Sequence, residues 1–289
     1  EKIVSTGFNR ALSISKGDII VRVDGHSRLS KDFIKSCMTT LNDVQADCVG
    51  GATEHISSGL IADAIKVAQS SRFGVGGVAF REGVINGKYV DTLAFGAYRR
   101  RVFEKIGGYD EELVRNQDDE FNFRLIQDGG RIWLDPSIKS FYYPRKSILK
   151  LFVQYFQYGF YKIRVMQKRK GFSSWRHIVP LIFVLSLILF FIAALSSSIK
   201  LPFYLLILLY SSVNLFAVLF EIIKKVLNDK TKIKPQSSFL TFIFLPLVYF
   251  ILHFSYGLGS VFGLIYFWNK WNDIGLKDSN FIRGQTTTI

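Results

Sequence analysis

The chain has 289 residues, 49% of them apolar, and a formal net charge of +14. This length suffices for one large domain, or for one domain and a membrane region. Much of the positive charge flanks apolar segments and no nucleic-acid motif is present, which argues against a nucleic-acid-binding protein. Charge and apolarity are segregated, because residues 1–177 are mixed in composition whereas 178–268 are dominated by Leu, Ile, Phe and Val.

The first predicted elements are a short helix over residues 6–15 and a strand in "DIIVRVD" (18–24). Asp24 then lies where a strand ends, and ligands of open α/β sheets bind outside the carboxyl ends of parallel strands. Asp24 and His26 flank a single residue and could both reach one divalent cation, Mg or Mn. The alternative is that Asp24 is a turn residue before Gly25. The residues alone leave both interpretations open.

Further along, an apolar strand is predicted near residues 92–98, followed by three arginines at 99–101. A helix closed by a glycine pair at 107–108 comes next. The only cysteines, Cys37 and Cys48, show no spacing pattern and are expected to be free, buried thiols.

Three consecutive acids open the next predicted helix, which starts near Gln117. Because a helix turns about 100° per residue, Asp118, Asp119 and Glu120 cannot share one face. Glu120 lies one turn from Arg124 and is interpreted as half of a solvated ion pair. Asp118 and Asp119 each begin an apolar face and could be held at the mouth of a cleft, although the helix dipole alone also favours acids here. The residues do not decide between these two acids.

Three apolar segments follow. Residues 178–195 are uncharged and long enough to cross a hydrocarbon core of roughly 30 Å, and 201–220 form a second, antiparallel candidate span. The third segment, 239–268, is longer than one span needs and contains Pro246 and the sequence Gly-Leu-Gly at 257–259. It is predicted to be either one long kinked span or a hairpin of two short ones.

Basic residues flank these segments on the sides that orientation rules predict. Those before the first segment are Lys162, Arg164, Lys168, Arg169, Lys170 and Arg176, and those after the second are Lys224, Lys225, Lys230, Lys232 and Lys234. Short flanks rich in Lys and Arg stay in the cytoplasm, which predicts a multi-pass membrane protein whose soluble domain faces the cytosol. Anionic membrane lipids are the expected partners of these charges. The basic tail after residue 268 also favours the cytosol, hence an even number of crossings and a hairpin in 239–268.

Several motifs stand in one order along the chain. They are "GDIIVRVDGH" (17–26), "VDTLAFGAYRRRVFEKIGGYDEELVRNQDDEFNFRLIQDGGRIWLDP" (90–136) and "QYFQYGFYK" (154–162), followed by the apolar segments. This order resembles the family 2 glycosyltransferases, and within them the bacterial succinoglycan-type exopolysaccharide enzymes. The resemblance implies the α/β fold class, with a cytosolic, Rossmann-like GT-A domain built on a mixed, mostly parallel sheet, followed by a helical transmembrane region.

The resemblance also implies a division of the chain. Residues 1–150 would form the GT-A domain, whose first strand is expected to precede residue 1. Residues 151–177 would be a basic amphipathic juxtamembrane linker, 178–268 three or four transmembrane helices, and 269–289 a C-terminal tail.

Carried over residue by residue, the family motifs assign roles. Asp24 matches the first acid of the D-x-D motif, which contacts the nucleotide-sugar and its Mg or Mn ion, and His26 replaces the second acid as a candidate metal ligand. Asp118 matches the catalytic base of the family's E-D motif, with Gln117 in place of the Glu. The other candidate substrate-binding residues are Asp91, Arg99, Arg100, Asp119, Gln154 and Gln157. For the two arginines a structural role is equally open.

The implied function is an inverting transfer of one sugar in exopolysaccharide biosynthesis at the bacterial inner membrane. The expected donor is a UDP-sugar and the expected acceptor a polyprenyl-diphosphate-linked saccharide. One alternative is a processive polysaccharide synthase, against which the missing Q-x-x-R-W motif argues. The other is a non-catalytic scaffold or transport component, and apolar segments without charged residues in their interiors fit transport poorly.

Overall fold

The computed structural model describes residues 3–25, 27–171, 174–196, 200–229 and 239–277, and the side chains of all of these except 228 and 229. The helices are α1 (Val4–Ile14), α2 (Phe33–Asp43), α3 (Leu60–Ser70), α4 (Arg72–Val75), α5 (Ala79–Glu82), α6 (Arg100–Ile106), α7 (Gln117–Gln127), α8 (Ile148–Arg169), α9 (Val179–Ser196), α10 (Leu201–Asp229) and α11 (Thr241–Tyr266). The strands are β1 (Ile19–Val21), β2 (Ser27–Leu29), β3 (Cys48–His55), β4 (Lys88–Val90), β5 (Ala97–Arg99) and β6 (Ile132–Tyr142).

The strands form one mixed sheet in the order β1-β5-β3-β6-β2, with β4 also paired to β6. The longest pairing, between β3 and β6, is parallel, and the four shorter pairings are antiparallel. The predicted α/β class, a mixed sheet with helices followed by apolar helices, is confirmed. The strand expected over 92–98 forms only at its end, because Phe95 has a left-handed φ of 56° and interrupts extended backbone.

An aromatic cluster on one face of the sheet fixes the helix that carries the acidic stretch. The Phe121 ring of α7 stacks on Phe103 with a centroid distance of 4.7 Å and meets Tyr98 edge-on at 5.3 Å. Phe121 is fully buried, and burial of such a side chain contributes about 1.5–3 kcal/mol. This packing holds the first turn of α7 at the carboxyl end of β1, where Asp24 follows. The two cysteines are free and buried, as predicted.

Within the described ranges, three helices are long and apolar enough to cross a membrane: Trp175–Ser196, Leu201–Leu227 and Thr241–Tyr266. The hairpin favoured for residues 239–268 is wrong, because α11 is one continuous helix through Pro246. The glycines that suggested a break serve close packing instead. A Cβ atom added to Gly259 would lie 2.0 Å from the carbonyl oxygen of Phe156, so only glycine lets α11 approach α8 this closely.

Helix α11 is buried by other parts of the protein to a greater extent than α9 and α10. In its most apolar stretch 44% of the residues are buried, against 6% for α9. Its first half packs in one cluster with Ala64 and Ile65 of α3, and just beyond its end the carbonyl oxygen of Phe267 accepts a hydrogen bond from Gln167 of α8 at 2.8 Å. Both ends of α11 therefore lie against the part of the chain that precedes α9.

Four basic residues of α8 are largely buried, although their position before the first apolar segment predicted that they would meet lipid headgroups. They form ion pairs with acids of the α/β domain: Lys162 with Asp119, Arg164 with Glu112, Lys168 with Asp110, and Arg169 with Glu120. A charge removed from water needs a partner of opposite sign, and these acids supply it. The positive charge of α8 thus fastens the helix to the domain.

The same ion pairs hold the segment after α11. Arg164 donates to the carbonyl oxygen of Lys270 at 3.0 Å and to the Asp273 carboxylate at 2.8 Å. Lys168 donates to the carbonyl oxygen of Gly275 at 3.0 Å. Residues 270–277 therefore return to the α/β domain.

Candidate active site

Asp118 lies in the first turn of α7, at a position fixed from both sides of the helix start. Asn116, just before the helix, adopts a left-handed φ of 62° and donates its side-chain amide to the carbonyl oxygen of Tyr158 at 2.7 Å. On the other side, Phe121 and Leu125 are buried in the core. The side chain of Asp118 keeps 44% of its surface exposed, so its carboxylate is held in place while remaining open to a ligand.

Three cavities meet at this carboxylate. The Asp24 cavity, of about 450 Å³, is lined by Arg22, Asp24 and Arg145 among others. The central cavity, of about 120 Å³, lies between Arg22 and Arg81. Among the described residues, Asp118 and Tyr158 are the two that line both of these and also the third, larger cavity.

This third space, the membrane-side cavity, has a volume of about 500 Å³ and takes part of its wall from the apolar helices. The residues contributed by α9, α10 and α11 are Val179, Pro180, Phe183, Tyr210, Leu252, His253 and Tyr256. Most of these side chains are apolar or aromatic, whereas the end of the cavity near α7 carries Asp118, Asp119 and Lys162. The cavity is thus amphipathic, with its polar end at the candidate base.

Arg22 connects the two acids that the motifs single out. Its guanidinium donates to Asp24 Oδ1 from Nε at 2.9 Å and from Nη2 at 2.7 Å, and its Nη1 lies 3.8 Å from Asp118 Oδ2. Burial disfavours the charge on Arg22, but Asp118, Tyr109 and Asp24 together raise its pKa above the usual value. A permanent positive charge therefore stands between Asp24 and Asp118.

Asp24 is the described residue that could hold a metal ion at this edge of the sheet. His26, the second expected ligand, lies outside the described residues. No group of three or more His, Cys, Asp or Glu side chains suited to a metal occurs in the described ranges. A single carboxylate that opens into two cavities nevertheless fits Mg or Mn, because such ions are often held by one or two carboxylates and the phosphates of the substrate.

Asp119 is engaged in a closer ion pair than its neighbour Asp118, whose nearest cationic atom, Arg22 Nη1, lies 3.8 Å away. Lys162 of α8, which is 4% exposed, donates to Asp119 Oδ2. Burial alone would raise the pKa of Asp119, but Lys162 and His177 outweigh it, and the pKa lies below its ordinary value. Asp119 lines the membrane-side cavity, so it remains a candidate for contact with a substrate.

Glu120 does pair with Arg124, but the prediction that this pair is solvated is wrong. Glu120 is 0% exposed and accepts two hydrogen bonds from Arg124, both at 3.0 Å. Arg169 of α8 adds a second cation at 3.1 Å. The spacing along α7 predicts the first contact, whereas burial results from α8 packing over the pair.

Arg99 and Arg100 are not brought to these cavities. Arg99 pairs with Ile19 in the register of β1 and β5, at the opposite end of β1 from Asp24. Its side chain donates to the carbonyl oxygens of Ala46 and Leu41. Arg100 donates to the carbonyl oxygen of Gly17 at 2.6 Å. Their expected role in substrate binding is therefore not supported, and the structural alternative fits the contacts.

The remaining predicted substrate-binding residues lie around the cavities rather than against Asp118. Gln154 lines the Asp24 cavity and donates to the hydroxyl of Tyr158 at 3.1 Å. Gln157 accepts a hydrogen bond at 2.9 Å from Arg115, which lines the same cavity. Asp91 accepts a hydrogen bond from Arg176 at the rim of the membrane-side cavity. These residues border the site, but they do not touch Asp118 in the way that Arg22 does.

Sequence reasoning missed Arg22, Arg81 and Tyr158. Arg22 interrupts the apolar run of "DIIVRVD", and a charged residue inside a predicted buried strand was a signal that could have been used. Arg81 and Tyr158 belong to segments with many similar residues nearby, and only the fold brings them to Asp118.

Comparison with known proteins supports the resemblance that the motifs suggested. No family model matches the chain. The chain is 31% identical over 183 residues to the succinoglycan biosynthesis protein ExoA of Rhizobium meliloti (strain 1021), covering 63% of this chain and 55% of the relative. The chain thus spans about half the length of this relative.

A second relative is matched over more of both chains. It is the dolichyl N-acetyl-alpha-D-glucosaminyl phosphate 3-beta-D-2,3-diacetamido-2,3-dideoxy-beta-D-glucuronosyltransferase of Methanococcus voltae, 26% identical over 267 residues, 89% of this chain and 74% of the relative. These matches confirm the resemblance read from the motifs, because the chain is similar to a protein of succinoglycan biosynthesis and to a glycosyltransferase named for a dolichyl-phosphate-linked sugar.

Proposed function

We propose that this protein is a membrane-bound, inverting glycosyltransferase that moves one sugar from a nucleotide-sugar to a lipid-linked saccharide. The observation that carries the proposal is the position of Asp118, a half-exposed carboxylate at which a polar cavity and an amphipathic, membrane-side cavity meet. Asp118 is the proposed catalytic base, and the donor would occupy the Asp24 cavity. A UDP-sugar is the expected donor.

The arrangement suits a single displacement. Asp118 would take the proton of an acceptor hydroxyl as that oxygen forms a bond to the anomeric carbon of the donor sugar. The bond from the anomeric carbon to the phosphate oxygen breaks on the opposite face, its electron pair leaves with the nucleoside diphosphate, and the configuration is inverted. Arg22 would place a fixed positive charge beside the leaving diphosphate.

A divalent cation belongs to the proposal as a cofactor. When bound, Mg or Mn would neutralise part of the charge on the diphosphate. Among the described residues Asp24 would be its protein ligand, and binding of the cation would break the ion pair between Asp24 and Arg22.

The membrane-side cavity supports a lipid-linked acceptor. Its apolar wall is built from helices that also expose apolar side chains outward, so an isoprenoid chain could pass between lipid and cavity without entering water. The name of the Methanococcus relative specifies a sugar attached to dolichyl phosphate as its acceptor. By analogy, the acceptor here would be a polyprenyl-phosphate- or polyprenyl-diphosphate-linked saccharide.

The packing of α11 supports a topology with two crossings. We infer that α9 and α10 form the membrane-crossing hairpin and that α11, which packs on α3 in its first half and on α8 at its end, lies along the membrane surface. The tail and the α/β domain would then share the cytoplasmic side, as the basic flanks predict.

Topology can be read from cysteine labelling in intact cells. The native cysteines are buried, so Lys200→Cys and Gly275→Cys introduce the accessible thiols. An impermeant thiol reagent should label Lys200→Cys from outside, and Gly275→Cys only after the membrane is permeabilised. Labelling of Gly275→Cys in intact cells would mean that α11 crosses the membrane.

The transferase activity is tested with a panel of radiolabelled sugar nucleotides and membranes that contain the protein. Label should appear in the organic-extractable lipid with one donor, and chelation of Mg and Mn should abolish it. Transfer to water-soluble acceptors alone would contradict the lipid-linked acceptor, and a ladder of growing products would favour a processive synthase.

A further inference from the structure

Arg81 is a second arginine that lines cavities together with Asp118. It belongs to the short helix α5, and its side chain lines both the central cavity and the membrane-side cavity, as does Asp118. It does not line the Asp24 cavity. Of the two arginines, Arg22 thus shares the Asp24 cavity with Asp118, and Arg81 shares the membrane-side cavity with it.

The charge on Arg81 is not compensated within the described part of the chain. No carboxylate among the described residues lies within 4.0 Å of its guanidinium, whose Nη1 donates to the hydroxyl of Tyr155 at 3.4 Å. The other cationic side chains around the membrane-side cavity each have an acid partner: Arg72 with Glu82, Lys162 with Asp119, and Arg176 with Asp91. Arg81 is therefore the cation of this cavity that is left for a ligand.

The surroundings of Arg81 suit an oxyanion. Arg81 is partly buried, and a partly buried charge without an acid partner is costly, so a site of this kind is expected to bind an anion. The neighbouring groups are the phenols of Tyr155, Tyr158 and Tyr142. Burial alone would lower the pKa of Arg81, but these phenols outweigh burial, and the pKa lies above its ordinary value. A planar guanidinium with hydroxyl donors beside it matches the geometry of phosphate oxygens.

We propose that Arg81 binds the phosphate that joins the acceptor sugar to its lipid. The proposal rests on the lipid-linked acceptor proposed above and names the residue that recognises it. In this arrangement the isoprenoid chain lies against Phe183 and Leu252, the phosphate against Arg81, and the sugar hydroxyl against Asp118, all within cavities that these residues line together. Arg81 acts as a positioning residue, because it holds the acceptor and does not touch the bond that forms.

The test compares the whole protein with Arg81→Gln, Arg81→Lys and a matched control, Arg101→Gln. Arg101 is exposed and pairs with Asp47, away from the three cavities. Binding of a polyprenyl phosphate without sugar is measured first, with the purified protein in detergent. Loss of a charge-assisted hydrogen bond predicts binding about 10- to 100-fold weaker in Arg81→Gln, an intermediate effect in Arg81→Lys, and no change in the control.

Kinetics then separate the two substrates. With the lipid-linked acceptor, Arg81→Gln should raise the acceptor KM by a similar factor and leave the KM of the nucleotide-sugar unchanged. With the same sugar on an alkyl chain that lacks phosphate, the wild type and Arg81→Gln should have equal KM values. A higher KM for the nucleotide-sugar would instead assign Arg81 to the donor diphosphate, and equal losses with both acceptors would assign it a structural role.

The binding measurement keeps this inference separate from the proposed activity. If polyprenyl phosphate binds equally well to the wild type and to both Arg81 variants, the inference fails whatever the transferase assay shows. If binding depends on Arg81 but no sugar is transferred to any lipid, the site stands and the proposed function fails. Thermal unfolding of each variant identifies a loss that comes from misfolding, and in that case Arg81→Lys provides the deciding comparison.

Discussion

The Asp24 cavity and the membrane-side cavity meet at one carboxylate but differ in their walls. The Asp24 cavity is lined by residues that precede α9, with Arg22, Arg115 and Arg145 among them. The membrane-side cavity takes side chains from α9, α10 and α11. The difference suggests how one site can serve a water-soluble donor and a lipid acceptor, since each reaches Asp118 from its own side.

The comparison depends most on Asp118, where the two cavities meet. We expect Asp118→Asn to lower the rate of sugar transfer about 10²- to 10⁴-fold, the range typical of a lost general base. The measurement is the initial rate of label transfer to lipid at saturating donor. Asp128→Asn, at the other end of α7 and exposed in its pair with Lys105, is the matched control and should keep normal activity. Full activity in Asp118→Asn would move the base to Asp119 or elsewhere.

The packing of α11, which supplies part of the wall of the membrane-side cavity, can be disturbed without touching the Asp24 cavity. In Gly259→Leu the new side chain would collide with the backbone of α8, so we expect a loss of about 3 kcal/mol or more and a strong fall in lipid transfer. Gly275→Leu is the control, because nothing lies within 4 Å of a Cβ added there. Thermal unfolding of both variants measures the loss of stability, and nucleotide binding shows whether the Asp24 cavity is still intact. Normal stability of Gly259→Leu would show that α8 and α11 do not pack as described.

The ion pair between Asp119 and Lys162 links α7 to α8 beside the membrane-side cavity. Asp119→Asn leaves Lys162 buried without a counter-charge, and we expect a loss of roughly 2–3 kcal/mol. This expected loss of stability is smaller than for a fully buried ion pair, because the Asp119 side chain keeps 20% of its surface exposed. Adding Lys162→Met should restore part of the stability, which unfolding of the single and double variants would show. A more stable single variant than double variant would contradict the pairing.

The smallest effect concerns His55, which lines the central cavity. Burial, with Arg81 and Lys66 adding to it, lowers its pKa from 6.5 to about 3. As the pH falls below about 6.5, His55 becomes protonated in the unfolded chain but stays neutral in the folded protein. The free energy of unfolding therefore decreases towards lower pH. Between about pH 6.5 and pH 5 the loss amounts to about 1.6 kcal/mol. His55→Gln should lack this part of the pH dependence when unfolding is followed at both pH values, and an unchanged slope would mean that His55 is protonated in the fold.

Local pattern predicted the elements that depend on neighbours in sequence, such as β1, the helix that begins at Gln117 and the contact between Glu120 and Arg124. It could not predict contacts that need distant segments. The burial of Glu120 depends on Arg169, and the continuity of α11 depends on α8, because a glycine that breaks a helix and one that admits a neighbouring backbone look the same in sequence. For the same reason the residues did not separate Asp118 from Asp119, whereas the fold gives only Asp119 a lysine partner.

The central claim is that a lipid-linked acceptor presents its hydroxyl to Asp118 from the membrane-side cavity. A cryo-EM structure of the protein with a lipid-linked acceptor and the nucleoside diphosphate tests this most directly. We predict the isoprenoid chain against α9 and α11, the diphosphate beside Arg22 and Asp24, and a sugar hydroxyl within about 2.6–3.2 Å of the Asp118 carboxylate. An acceptor bound in the Asp24 cavity, or a hydroxyl that contacts Asp119 and not Asp118, would contradict the account.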